Sequence, residues 1–368
     1  MASCLGARLP PQSRPGNGTR HRFVIEVDFM GISPNVPPAV TVVIPAFNVA
    51  AYIRDAVQSA LAQTVSNIEV IVVDDGSDDG TAERLEGLND PRLQILRQAN
   101  SGQASSQNVG IRASRGEFIA FLDGDDLWLP DKLEHHLDSF AIHPGADVTY
   151  SLSKTIDDHD REIGFVVPHR GGPVSYRELL LENVLRNGSA PVVRRRVFNE
   201  TGLFDSHLPA SADLDMWLRI AVLRTGNIVC IPKCLTLYRR RAGQVSADRH
   251  RMQTAWFQVL AKARKRSPDL VRELESRANS DKHVYFAHLA YERGDYSAAF
   301  ELLWQSFKFS PSRVLFRVRP GLLATACAAG VVLPGRVHRW LVGCGLACAR
   351  LVSRGVLLAH WRLDNRTT

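Results

Sequence analysis

Residues 117–128 read EFIAFLDGDDLW, an apolar run of strand length that stops abruptly in three carboxylates. No other feature limits the possible folds as much. A buried strand that ends this way delivers Asp123, Asp125 and Asp126 to its carboxyl end, the edge at which open α/β sheets bind ligands. Carboxylates crowded this closely repel one another, and a hard divalent cation with a phosphate-bearing ligand relieves the repulsion. The Asp-x-Asp spacing of Asp123 and Asp125 therefore points to metal-diphosphate chemistry. Taken alone, the same residues read equally well as a solvated acidic turn.

Two further runs repeat the pattern upstream. Residues 41–48 (TVVIPAFN) form a short apolar strand ended by Pro45, and Ile53, Val57 and Leu61 follow at helical spacing. Residues 68–73 (IEVIVV) run into Asp74 and Asp75, after which Thr81 is expected to cap a helix carrying Leu85 and Leu88. The segment from Asn100 to Arg115, with Gly102 and Gly110, leads into the 117–122 strand. The sum is β-α-β-α-β within about a hundred residues, and parallel strands bring all three loops to one edge.

In this order the motifs TVVIPAFN, EVIVVDDGSDDGT, the Asn-x-Gly segment and GEFIAFLDGDDLW resemble those of a family 2 glycosyltransferase, through about residue 247. The resemblance implies an α/β fold of the GT-A type, a Rossmann-like sheet. It also implies inverting transfer from a nucleotide-sugar, a UDP-sugar first among the candidates, with Mg²⁺ or Mn²⁺ as cofactor. Pro45, Phe47 and Asn48 match the donor side, where the Phe47 ring suits stacking on a base. Asp75 matches the acid that accepts hydrogen bonds from the nucleoside. Asp123 and Asp125 match the metal and ribose pair, Asp125 as the direct ligand, and Asp126 reads as structural support.

The second half supplies a base. Residues 211–217 (SADLDMW) resemble the family's Glu-Asp-x-Asp-x-Trp segment, which implies Asp213 as catalytic base, taking the acceptor proton while the metal stabilises the departing diphosphate. Asp215 lies two residues on and points elsewhere on a helix, where organising the helix start is its expected task. Three positions depart from the family pattern. Ala212 stands in place of Glu, Gln107 in place of Arg, and Arg241 in place of the His of a Tyr-Arg-x-His segment, here Tyr238 to Arg241. A guanidinium there suits phosphate oxygens, so Arg241 joins the donor-binding set, with Arg239 and Arg240 as rivals.

With 368 residues and 45% hydrophobic content, the chain exceeds the usual single domain. We read residues 1–38 as a disordered arm without a signal-peptide core, 39–247 as the GT-A unit, and 248–368 as helical. That last part holds one tetratricopeptide-like hairpin around Arg293 to Tyr296. Six cysteines without Cys-x-x-Cys spacing fit a cytoplasmic protein. His135 and His136 are expected on a helix surface. Residues 301–368 carry ten Arg and Lys against two acids, which more than accounts for the chain's net +7. The apolar runs 321–333 and 340–359 are too short, or too interrupted by Arg350 and Arg354, to span a bilayer. Peripheral contact with an anionic inner membrane face fits them, whereas nucleic-acid binding is not expected because aromatic interleaving is sparse. The partners are thus a nucleotide-sugar donor and a glycan or glycolipid acceptor, in cell-surface polysaccharide synthesis. The competing reading is a catalytically silent nucleotide-sugar-binding or scaffold protein, prompted by Ala212 and Gln107.

Overall fold

The computed structural model describes residues 37–163, 172–223, 227–241, 243–315, 323–325 and 327. The N-terminal arm and most of the apolar, basic tail lie outside these residues. Four parallel strands build one half of the sheet: β1 (Val40–Ala46), β2 (Ile68–Asp74), β3 (Leu93–Arg97) and β4 (Phe118–Phe121), in the order β3-β2-β1-β4. All residues of β1, β2 and β4 are buried, which is why each reads as an unbroken apolar run and not as an alternation. The expected parallel βαβ core is therefore present, with the β1, β2 and β4 loops at one edge.

Past β4 the sheet becomes mixed. Its order continues through β8 (Pro191–Arg194), β6 (Val148–Ile156) and β9 (Ile228–Arg239) to β5 (Leu127–Trp128), and β7 (Gly172–Pro173) pairs with β9. Strand β8 runs antiparallel to both β4 and β6, while β6 and β9 are parallel with a bulge near Ser151 and Leu152. A bulge there bends the strands and curls this half of the sheet.

Helices cover both faces. α1 (Ile53–Leu61) turns Ile53, Ala56, Val57 and Ala60 inward. α2 (Gln103–Ala113) packs so tightly on β1 that a Cβ at Gly110 would collide with Val43. α3 (Lys132–Ile142), α4 (Tyr176–Leu181), α5 (Val197–Thr201) and α6 (Ala212–Leu223) follow. After β9 come α7 (Arg249–Arg266), α8 (Pro268–Glu292), α9 (Tyr296–Phe309) and the short α10 (Pro311–Leu315). α8 and α9 form a hairpin turned at Gly294, whose φ of +78° lies in the left-handed region that favours glycine. One buried cluster runs from Val43 and Phe121 in the sheet through Trp217 and Trp256 to Phe286, Leu302 and Cys327. The late helices thus share a core with the sheet.

Three expectations need correction. No α-helix follows β2: Glu83–Leu85 is one 3-10 turn, because the Thr81 hydroxyl is engaged, accepting from the Val49 N–H (2.9 Å) and donating to Asp79. Strand β3, unread in the sequence, is an edge strand whose residues are mostly half-buried. His136 is not on the surface but fully buried. It faces a polar layer in which its Nδ1 meets Thr149 Oγ1 at 2.7 Å and its Nε2 meets the buried Lys132 ammonium at 3.1 Å. That ammonium also donates to Ser151, Thr236 and the Ala190 carbonyl, so the pair is satisfied inside the fold.

Candidate active site

The carboxyl edge of β1, β2 and β4 gathers the acids, but the structure gives them unlike surroundings. Beyond β1, the Phe47 ring stays 45% exposed at the edge, free to stack. Pro45 lies within β1. Asn48 holds a left-handed backbone (φ 52°), its N–H donating to Ser77 Oγ and its Oδ1 accepting from the Asp78 N–H, so it ties the β1 loop to the β2 loop. A non-glycine residue in that region is strained and persists where its surroundings hold it.

Asp75 is buried and already accepts three hydrogen bonds: from Gln98 Nε2 (2.5 Å), the Ser101 N–H (2.9 Å) and the Gly102 N–H (2.7 Å). The last two belong to the turn that starts α2, so this carboxylate positions the helix start and retains limited capacity for a nucleoside. On the neighbouring strand loop, Gln103 Nε2 donates to Asp123 Oδ1 at 2.7 Å, and the Asp123 N–H donates to Ser189 Oγ at 2.9 Å. A Cβ at residue 188 would sit 3.1 Å from Asp123 Oδ2, so any larger residue there would push that carboxylate by a few tenths of an ångström.

Burial first, then the neighbouring Asp125 charge, pushes the Asp123 carboxyl up to about 7, and Asp213 adds to the effect. Part of that rise is repulsion between neighbouring carboxylates. Asp125 Oδ2 accepts from Arg241 Nε (2.7 Å) and Gln244 Nε2 (3.2 Å). Asp126 is fully buried, accepting from Ser189 Oγ (2.5 Å) and the Arg239 N–H (2.8 Å). Burial also raises its carboxyl well above the ordinary range.

The three consecutive arginines divide their work. Arg239 is buried, donating to the carbonyls of Asp125 (2.7 Å) and Asp157 (2.8 Å) and to Asp160 Oδ1 (2.6 Å), with its guanidinium over the Tyr52 ring. Arg240 pairs with Glu292 at the end of α8. Arg241 alone of the three faces the Asp123–Asp125 pair.

Asp213 sits in the first turn of α6, just after Ser211, another left-handed non-glycine residue (φ 55°). Its Oδ2 accepts from Asn183 Nδ2 at 3.2 Å. Burial raises its carboxyl, which hydrogen bonds from the Leu214 N–H and Asn183 and the nearby Lys282 ammonium partly offset. Asp215 differs: fully buried, it accepts from Arg219 Nε (3.1 Å), Lys262 Nζ (2.9 Å) and Arg266 Nη2 (2.9 Å). Gln107, which departs from the family pattern, is buried on α2, and its neighbour Asn108 makes a two-way bond to the backbone of Phe204.

Sequence reading missed Gln103, Asn183, Gln244 and Lys282. Gln103 was within reach, since it opens a helix beside the acid loop. The other three come from distant segments and carry no local signal. The free thiols Cys230, Cys234 and Cys327 form no disulfide, and among the described residues no three His, Cys, Asp or Glu side chains converge on a cation.

A curled, mixed sheet with acids at the carboxyl edge of its parallel half and helices following it is the architecture of GT-A glycosyltransferases. Solved structures support that placement. The S. aureus TarS fragment in complex with UDP-GlcNAc superposes with a TM-score of 0.53 at 18% identity, covering 79% of this chain and 87% of that one. The mannosyltransferase PcManGT from Pyrobaculum calidifontis, in complex with GDP-Man and Mn²⁺, gives 0.52 at 18% identity, covering 85% and 87%. The family model for glycosyl transferase family 2 matches residues 41–202. The glycosyltransferase GlyG of Streptococcus pneumoniae is 30% identical over 223 residues, 56% of this chain and 72% of that one. The chain belongs to glycosyl transferase family 2. It is also 32% identical over 188 residues to an uncharacterized glycosyltransferase of Rickettsia felis, covering 50% of this chain and 31% of that longer protein. The chain thus spans about a third of the length of the relatives from Rickettsia felis, Rickettsia conorii and Rickettsia bellii.

Proposed function

We propose that this chain transfers a sugar, with inversion, from a nucleotide-sugar, UDP-linked in the reading we favour, to a hydroxyl of a glycan or glycolipid acceptor in cell-surface polysaccharide synthesis. One observation carries it: Asp123 and Asp125 stand just past the carboxyl end of β4 at the edge of the parallel strands, and Asp213, from the start of α6, is close enough for its charge to act on Asp123, which supports a shared site for candidate base and donor-side acids. The nucleotide-sugars in the TarS and PcManGT complexes support a donor of that class.

In this reading Phe47 stacks on the base, while Pro45 and Asn48 shape the loop beneath it. Asp75 holds the start of α2 against the nucleoside. Asp123 and Asp125 are the residues that would hold Mg²⁺ or Mn²⁺. The residues fit such an ion: two carboxylates with donor phosphate oxygens are an ordinary ligand set, and the repulsion from Asp125 that adds to burial in raising the Asp123 carboxyl is one a cation would relieve. When bound, the cation supplies Lewis-acid stabilisation of the leaving diphosphate. Arg241, released from Asp125, meets the same oxygens as a forked donor. Asp213 orients the acceptor hydroxyl and takes its proton as the acceptor oxygen bonds to the anomeric carbon. The anomeric carbon–oxygen bond breaks at the same time, and its electron pair leaves with the diphosphate.

We also propose contact with an anionic membrane through the C-terminal tail. Phe300 and Trp304, each 54% exposed on α9, and Lys308 beside Trp304 are side chains suited to a lipid interface. Among the described residues no helix is long and apolar enough to cross a membrane.

The test is a panel of UDP- and GDP-sugars with Mn²⁺, read first as a rise in melting temperature and then as nucleotide release with acceptor. A silent donor-binding scaffold, favoured by the Arg241 ion pair on Asp125, would show the first signal without the second. Neither signal with any donor would remove both readings.

A further inference from the structure

Lys282, on α8, lies near enough to Asp213 for their charges to interact, and nothing in the family motifs accounts for it. Its ammonium lies over the rings of Trp256 (5.2 Å) and Tyr285 (5.4 Å). Among the described residues, no oxygen accepts a hydrogen bond from it. Two acids act on it through space: Asp213, whose one side-chain hydrogen bond comes from Asn183, and Glu182, which pairs with Arg186 at 2.8 Å. Burial lowers the ammonium's pKa, so the charge is held at a cost that a bound anion would recover. Asn183, which donates to the same Asp213, has a buried Oδ1 with no hydrogen-bond partner among the described residues. A buried amide oxygen of that kind calls for a donor. The Tyr285 ring, 37% exposed, offers a flat apolar surface next to the ammonium.

An exposed ring, a buried unpaired acceptor atom, an under-coordinated cation and a carboxylate thus meet where an acceptor must lie. A sugar ring stacks on an aromatic face, its hydroxyls donate to amide and carboxylate oxygens, and a neutral sugar leaves an ammonium unused. We propose that the acceptor is an acidic glycan, and that Lys282 pairs with its anionic group while Asn183 Oδ1 takes a hydroxyl of the same residue. This rests on the transferase reading of the site. The shared chemistry is an anion on the acceptor sugar, a carboxylate or a phosphate.

Calorimetric titration of the full chain, with UDP and Mn²⁺ present, decides it. The probes are a glucuronate-terminated disaccharide, its 6-phosphoglucose-terminated counterpart and the neutral glucose-terminated form. The wild type is expected to bind at least one acidic probe about 10- to 100-fold tighter than the neutral one, the range of a hydrogen bond to a charged group. The preferred acidic probe identifies the anion. Lys282→Met should bring that ratio near one, and Lys282→Arg should keep most of it. Equal affinity of wild type for all three probes overturns the proposal without any variant, as does a ratio that survives Lys282→Met. Binding is read apart from turnover. Acid selectivity without nucleotide release would leave the pocket standing and remove the transferase reading, whereas release without selectivity would do the reverse.

Discussion

Asp213 and Asp215 lie two residues apart on one helix, and their surroundings have almost nothing in common. Asp215 is sealed in by three cations from α6 and α7, its lone pairs spent on fixing those helices together. Asp213 has one amide donor from a side chain and a raised carboxyl. The β4 loop shows a related contrast in partners: Asp126 is fully buried and held by Ser189 and the Arg239 backbone, while the Asp123 carboxylate accepts, among the described residues, from the Gln103 side chain alone, although burial raises both carboxyls. An acid with its bonds filled holds the fold, and one with bonds to spare can do chemistry. That division assigns roles which residue type alone does not.

The largest expected effect falls on the donor side. Asp125→Asn should lower transfer on the order of 10³-fold or more by weakening the cation's hold on the diphosphate, with metal-dependent donor binding lost in parallel. Asp126→Asn should be read mainly in the melting temperature. Full transfer by the Asp125 variant, or in excess chelator, would break the contrast at β4.

Next comes the helix pair. Asp213→Asn should keep donor affinity and fold while slowing transfer ~10²–10⁴-fold, the usual worth of a positioned base. Asp215→Asn should instead destabilise the protein by about 3 kcal/mol, since it strands buried cations. If a folded Asp215 variant transfers more slowly than the Asp213 variant, the base is the other acid.

The strands and the acid loop were legible because both faces of β1, β2 and β4 are buried and the runs stop where solvent and ligand begin. The missing helix after β2 was not legible: Thr81 looks like a cap in sequence, and only the fold brings Val49 and Asp79 to its hydroxyl. His136 misled for a similar reason, since a polar residue beside His135 reads as surface until Lys132 and Thr149 are seen beneath it. Arg241 was legible as a departure from the motif, yet its pairing with Asp125 was not, because 116 residues separate them. Lys282 had no signal at all.

That Arg241–Asp125 pair offers a smaller test. The guanidinium competes with a cation for the same carboxylate, so Arg241→Gln should tighten metal binding to the free protein by several-fold while weakening donor binding by about tenfold, the loss of one charge-assisted contact. Metal titration without donor measures the first change, and donor titration measures the second. Unchanged metal affinity would mean that the ion pair does not guard the site.

A pH profile separates the two acids of α6 again. A base must be ionised, and the Asp213 carboxyl is raised above its ordinary 3.8 chiefly by burial. Activity should therefore be present above the raised value and fall as pH drops through it. With donor and cation saturating, Asp123 is held ionised, and kcat reports groups of the bound complex. An acid limb at or below the ordinary carboxylate value would contradict the assignment.

The smallest effect on transfer is expected from the tail. Cutting after Ser312 would be too severe, because Leu323 and Ala324 pack on the core and Cys327 is fully buried there. A chain ending at Gly330 keeps these residues while removing the run 340–359 and six arginines, Arg336, Arg339, Arg350, Arg354, Arg362 and Arg366. Each basic residue near an anionic surface contributes about 1 kcal/mol, and salt screens it. The full chain should co-sediment with phosphatidylserine vesicles at low salt and release at high salt, and the shortened chain should stay in solution under both. Transfer to a water-soluble acceptor should be nearly unchanged, since every proposed donor, base and acceptor residue precedes the cut. If the tail instead completes the core, the shortened chain will melt earlier and the full chain will ignore vesicles. Sedimentation and a melting curve run side by side distinguish these outcomes.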